Sequence, residues 1–254
     1  MVLKPTIVED LDARERVVAE LRQRLKLDKP REGIHVSDLI YCLRKAWVLR
    51  RLGQDRAAVL GETPDEQALV FIIGHSHEAL FTKPQLPGGP AERDGITGTT
   101  DCFWWWDGLV GEWKSTRASA KKTPEEMQHY LAQVAAYCAI TETTEARLAI
   151  LHIMGDYGHQ TREGREEGRG PSAMLRIWNL RFTQEELDAF WAERLERRDR
   201  LHLEEMPPLE SDVSPSWDEW ECGYCPVRQL IDCPGGETWQ AEQARKKQKQ
   251  SLDG

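Results

Sequence analysis

The apolar positions of this chain change period several times, and each change marks an element. Charge interrupts every apolar run between residues 8 and 27 at a spacing that predicts a helix. A second helix is predicted over 37–53, opened by Ser37 or Asp38 and carrying Leu39, Ile40, Leu43, Trp47 and Leu49 at roughly helical intervals, with Cys42 inside it. ALVFIIGHSHEALF centres a third over 65–82, and PQLPGGPAERDG after it reads as a loop. The period then shortens to that of strands in GITGTTDCFWWW and LVGEWKST, which meet at Asp107-Gly108. Pro124, followed by Glu125 and Glu126, opens a helix over 124–140. Strands are predicted at 146–154 and 173–182 around the polar loop GHQTREGREEGRGP, then a helix from Thr183 to about Leu203 and a Pro-rich acidic linker, EEMPPLESDVSPSWDE. This order excludes an all-helical bundle and predicts a mixed α/β fold with a small central sheet and no internal repeat.

If Asp107-Gly108 is a two-residue loop, Trp106 pairs with Leu109, Asp101 falls opposite Lys114, and Phe103 falls opposite Glu112. Opposed residues share a face, as do alternate residues along one strand, so Asp101, Glu112 and Lys114 project together. Two carboxylates on one face can share a hard divalent cation, and an adjacent ammonium can orient a water or balance charge on a phosphorane-like transition state. An ordinary Asp–Lys pair on a surface hairpin fits the same three residues. In the following helix Gln133 and Tyr137 stand four apart on one face, while His129 and Tyr130 fit packing or surface positions equally well.

The 254 residues can bury one sizeable core, and the formal charge of -9 argues against a protein that coats nucleic acid indiscriminately. Residues 203–221 carry seven acids and no Lys or Arg, whereas bases gather at Arg44, Lys45, Arg50, Arg51 and Arg56, at Arg117, Lys121 and Lys122, and at Arg245, Lys246, Lys247 and Lys249. The first 30 residues do not resemble a signal peptide and no segment approaches membrane-spanning length, so a cytoplasmic protein with no membrane partner is expected. There, six cysteines point away from disulfides. Cys102 and Cys138 read as buried thiols, but Cys222, Cys225 and Cys233 form a compact thiolate group whose distant partner is Cys42. Tetrahedral Zn²⁺ and an iron–sulfur cluster both suit four thiolates. Of the ten tryptophans, Trp104, Trp105 and Trp106 are consecutive, so at least one faces away from the core, where a base could stack on it.

Gly74-His75-Ser76-His77-Glu78, Gly98-Thr99-Thr100-Asp101, Glu112-Trp113-Lys114 and Gln133-Val134-Ala135-Ala136-Tyr137 succeed one another in an order that resembles the RecB-type branch of the PD-(D/E)XK nucleases. With Cys42 in YCLRKAW and the terminal CxxC plus C, the chain is similar to the iron–sulfur subgroup, most closely the CRISPR-associated RecB-like exonucleases, over about residues 37–234. The resemblance implies a restriction-endonuclease-like core flanked by helices, with an iron–sulfur region formed by N- and C-terminal segments. It divides a single nuclease domain, 1–254, into an N-terminal helical part at 1–60, a core at 61–203, a linker and cysteine cluster at 204–240 and a basic flexible tail at 241–254. His77, with His75 as the alternative, Asp101, Glu112 and the Trp113 backbone carbonyl would hold the metal. Lys114 would be the base or water-orienting cation, and Gln133 and Tyr137 would position Lys114 or contact the DNA backbone. Cys42, Cys222, Cys225 and Cys233 would bind a structural [4Fe-4S] cluster that holds the terminal segments over the sheet, with Arg44 and Lys45 lining a DNA path. An imidazole among oxygen ligands favours Mn²⁺ over Mg²⁺.

The expected function is a metal-dependent exonuclease on single-stranded DNA or DNA ends, of 5′ to 3′ polarity, trimming fragments for CRISPR spacer acquisition beside the integrase complex. A standalone repair or phage recombination nuclease, and a non-catalytic iron–sulfur adaptor that binds DNA ends, are the alternatives. The retained Asp101, Glu112 and Lys114 argue against the adaptor.

Overall fold

Two small sheets and a buried helix position everything that follows. The computed structural model describes residues 12, 15–17, 19–20, 32–61, 65–82, 88–103, 108–213 and 219–235. The helix expected over 8–27 and the Trp104–Trp106 run fall largely or wholly outside those residues, as does the basic C-terminal cluster.

Strand β1 (Ile34–His35) lies parallel to β3 (Ile96–Thr100), which pairs antiparallel with β2 (Gly89–Arg93) in a three-stranded sheet. The second sheet has the order β4 (Cys102–Phe103), β5 (Val110–Thr116), β6 (Glu145–His152), β7 (Met174–Arg181), with β5 and β6 parallel and the outer pairs antiparallel. Strand β2 occupies what reads in the sequence as loop, and the reason is a second Asp-Gly. Arg93 pairs with Ile96, so Asp94-Gly95 is a two-residue hairpin loop, and both residues have positive φ (53° and 73°), as a type I′ turn requires. Trp191 Nε1 donates to Asp94 Oδ2 at 2.8 Å and fixes that turn to the long C-terminal helix.

The Asp107-Gly108 signal has a different outcome. Cys102 pairs with Gly111 and Phe103 with Val110, so the expected register is corrected by two. A shift of two preserves the faces, because side chains alternate with period two. Continued by one residue, the observed register sets Asp101 opposite Glu112 rather than Lys114.

The helix expected over 37–53 is broken into α1 (Val36–Ile40) and α2 (Leu43–Leu52), followed by the short α3 (Arg56–Leu60) and by α4 (Asp65–Thr82). Tyr41 and Cys42 have extended ψ values of -169° and 113°, so Cys42 is the residue that precedes α2 and not a residue within a helix. The break exposes backbone N–H groups that need acceptors, and two acids from the end of the chain supply them: Cys42 N–H donates to Glu221 Oε2 at 3.0 Å and Leu43 N–H to Glu210 Oε1 at 2.7 Å. Hydrophobic spacing runs unbroken across this junction, so the sequence pattern alone does not reveal it.

After a 3-10 turn at Pro124–Glu126, α5 (Gln128–Thr141) connects β5 to β6 and is buried continuously from Gln133 to Ile140, as a helix covered on all sides must be. It packs on β3, β5 and β6 and against α1 and α7 (Gln184–His202). Gly98 of β3 permits the approach: a Cβ there would lie 2.9 Å from Ile140 Cδ1 and 3.0 Å from Tyr137 Cδ1. A short α6 (Arg162–Glu166) forms in the polar loop. The acidic linker also carries structure, with α8 (Glu210–Val213) and a 3-10 turn at Glu219–Tyr224. Among the described residues no helix is long and apolar enough to cross a membrane.

Candidate active site

Strand β5 carries the chemistry because it is the buried middle of its sheet while its C-terminal half reaches a more open edge. Glu112 is 1 % exposed. Its Oε1 is in ion-pair contact with the Lys114 ammonium, and its Oε2 has no hydrogen-bond partner. Asp101 is half-buried where β3 leads into β4, and its Oδ2 accepts the Trp113 backbone N–H at 2.7 Å. That bond fixes one carboxylate beside the strand that carries the other. Burial, together with the negative charge of Asp101, pushes the Glu112 carboxyl well above the usual carboxylate range, against the pull of Lys114. Burial alone would lower the Lys114 ammonium, but Glu112 and Asp101 outweigh it and hold the proton more firmly than usual.

Helix α5 supplies the opposite wall. Gln133 Nε2 donates to Tyr137 Oη at 2.7 Å, and both residues are buried. Burial, and then Glu112, raises the Tyr137 phenol. The structure thus gathers Asp101, Glu112, Lys114, Gln133 and Tyr137 on one side of β5. It adds Tyr130, whose ring centroid lies 6.0 Å from Lys114 Nζ, and Tyr41, whose phenol is raised by burial while feeling Lys114, Tyr130 and Glu112. Tyr130 follows from helical spacing, three residues before Gln133. Tyr41 had one signal, its place next to Cys42.

Helix α4, which bears Gly74, packs on β5, with the Gly74 position 3.8 Å from Ser115 Oγ. The His77 side chain lies outside the described residues, and His75 is exposed. Arg44 and Lys45, expected along a DNA path, are both engaged with the C-terminal segment. Arg44 Nε donates to Pro207 O at 2.9 Å and its Nη1 approaches Cys233 Sγ at 3.9 Å, while Lys45 pairs with Glu221 and lies 5.8 Å from the Tyr41 ring centroid.

The four cysteines line one cavity together with Leu209, Glu210, Glu221, Arg228 and Gly235. Cys42, Cys222, Cys225 and Cys233 stand as thiols rather than disulfides. Cys225 N–H donates to Cys222 O and Cys233 N–H to Arg228 O, at 3.5 and 2.9 Å, which winds the terminal loop around the cavity. A Cβ at Gly235 would lie 3.4 Å from Cys222 Sγ and 3.5 Å from Cys233 Sγ, so glycine keeps the space beside two sulfurs open. Burial pushes the Cys42 thiol up to about 11.

A buried carboxylate oxygen with no donor is costly unless a cation meets it. The Glu112 Oε2 atom therefore fits a divalent-metal ligand, with Asp101 as the second anionic donor. Among the described residues no group of three or more His, Cys, Asp or Glu side chains is arranged to hold a metal ion. At β5 this leaves two carboxylates, and the four cysteines, though they line one cavity, are not grouped closely enough to form such a set.

The family model of the PD-(D/E)XK nuclease superfamily matches residues 6–230. No curated protein matches the sequence. The crystal structure of SSO0001 is similar over 88 % of this chain and 96 % of that one, with 16 % identity and a TM-score of 0.50, a likeness of fold. The crystal structure of a phage related exonuclease from Haemophilus somnus 129PT is 12 % identical over 66 % of this chain and 92 % of that one, with a TM-score of 0.38.

Proposed function

Because the chain belongs to the PD-(D/E)XK nuclease superfamily, we propose that it is a divalent-metal-dependent deoxyribonuclease, acting as an exonuclease on single-stranded DNA ends with 5′ to 3′ polarity. Nucleases of this superfamily use divalent metals such as Mg²⁺ or Mn²⁺. The observation that carries the reading is the buried Glu112 carboxylate with an unpartnered oxygen, held beside Asp101 and Lys114 on one face of β5.

Asp101, Glu112, the Trp113 carbonyl and His77 are the proposed metal donors, and the imidazole is the reason to expect Mn²⁺ to support the stronger activity. When bound, the cation supplies Lewis acidity at the phosphodiester and a more acidic water. Lys114, held protonated by its two carboxylates, orients the attacking water as a donor and offsets charge that develops on the phosphoryl oxygens. Gln133 fixes the Tyr137 hydroxyl at the same face, where the two residues position Lys114 or contact the DNA backbone.

The cysteine cavity is the proposed seat of a structural [4Fe-4S] cluster on Cys42, Cys222, Cys225 and Cys233, supported by their shared lining and the space kept by Gly235. The whole chain, 1–254, is read as one catalytic unit. Its proposed cellular role is trimming DNA ends for CRISPR spacer acquisition beside the integrase complex.

Purified protein incubated with end-labelled single strands and Mn²⁺ should shorten them stepwise, and Asp101→Ala and Lys114→Ala should each slow this by about a hundredfold or more. Equal cleavage by the wild type and both variants would remove the assigned site. A brown protein containing iron and sulfide supports the cluster, and a colourless one with stoichiometric zinc overturns it.

A further inference from the structure

Three segments far apart in sequence bring aromatic rings together beside the catalytic face. Tyr41 comes from the α1–α2 junction, His129 and Tyr130 from the start of α5, and Trp220 from the C-terminal 3-10 turn. The Tyr130 ring is 6.0 Å from Lys114 Nζ and 4.1 Å from the His129 ring. His129 lies 5.6 Å from Trp220, and Tyr41 meets Trp220 edge-on at 6.4 Å. The rings therefore form a continuous path from the catalytic ammonium outward. It ends at an indole that is 36 % exposed, whereas Trp191, an aromatic used for core packing, is 4 % exposed.

The charges around this path point to what it binds. The chain carries -9 overall, Trp220 is flanked by Glu219 and Glu221, and Lys45, which lies 5.8 Å from the Tyr41 ring centroid, is paired with Glu221. A polyanionic strand gains little here from its phosphates. Base faces are a different matter, since stacking on an aromatic ring needs no positive charge and tolerates any base. A duplex hides those faces and a single strand presents them.

We propose that Tyr41, His129 and Trp220 form a base-stacking platform that grips the single-stranded DNA next to the scissile phosphate, with Trp220 as its outer plate. This rests on the nuclease reading above. Trp220 acts as a positioning residue, and its place two residues before Cys222 means that the fold of the cysteine loop sets the position of the plate.

Fluorescence anisotropy with labelled oligothymidylate and with an abasic strand of equal length, in Ca²⁺ to prevent cleavage, tests the platform. Trp220→Ala should weaken oligothymidylate binding about tenfold and leave the abasic strand unchanged, while Trp220→Phe should retain most of the wild-type affinity. Loss on both strands alike would mean that Trp220 only supports the fold, and no loss on either would mean that it touches no base; each overturns the platform. A wild type that cleaves with Mn²⁺ while Trp220→Ala binds normally overturns the platform alone. A wild type that binds neither strand and cleaves nothing overturns the nuclease reading with it.

Discussion

Removing Glu210 should cost the fold more than removing any surface acid. Its Oε1 accepts Leu43 N–H at 2.7 Å and Arg197 Nη2 at 2.8 Å, its Oε2 accepts Arg197 Nη1 at 2.9 Å, and the two residues are 5 % and 9 % exposed. Arg197 also donates to the Leu39 and Tyr41 carbonyls, both at 2.8 Å. Glu210→Ala therefore leaves a buried guanidinium with two carbonyls but no countercharge, and takes the acceptor from a helix N-terminus. Breaking such a pair from one side costs about 3–5 kcal/mol, of which the lost cap is about 1 kcal/mol. Arg197→Met should cost a similar amount because Glu210 is then the uncompensated charge. The double variant Arg197→Met/Glu210→Ala removes both charges, so its cost should fall short of the sum by about 2 kcal/mol or more. Urea unfolding followed by circular dichroism measures all four corners of this cycle. A cost for Glu210→Ala below about 1 kcal/mol, or strict additivity, would refute the reasoning, because it would mean that the pair is open to water.

Two further outcomes follow from packing and burial. Burial pushes the Cys138 thiol up to about 12 from 9.0, so the folded chain keeps this proton to higher pH than the unfolded chain does; the contribution is full below pH 9.0 and is lost as pH rises toward 12. Cys138→Ala should flatten the decline in stability across that range, and an unchanged decline would assign it to other groups. Gly98→Ala sets a methyl 2.9 Å from Ile140 Cδ1 and 3.0 Å from the Tyr137 ring, which should cost about 1–3 kcal/mol and lower Tm by about 2–10 °C. An unchanged Tm would show that Ile140 and Tyr137 give way freely.

Most long elements were legible because periodicity is a local property. Strands β6 and β7 and helix α7 lie within a residue or two of the positions read from the sequence, and Thr183 caps α7 by accepting Glu186 N–H at 3.1 Å. The shared face of Asp101, Glu112 and Lys114 was legible despite a wrong register, since the error was an even number of residues. Asp94-Gly95 was missed because Gly89 and Pro90 make the preceding strand look like loop, although a strand at the edge of its sheet tolerates proline. The break at Tyr41–Cys42 and the burial of Glu210 and Glu221 were not legible at all. Their cause is a pairing between residues 167 and 179 positions apart, and no local pattern carries that information.

That pairing also orders events during synthesis. When Cys42 and Leu43 leave the ribosome, the acids that will cap them have not been translated, so the N-terminal end of α2 has no permanent partner until the segment bearing Glu210 and Glu221 has emerged. A chain released early, before Glu210, would contain the segments of both sheets and α7 yet leave the guanidinium of Arg197 without its countercharge and Cys42 without the loop that carries its three companions.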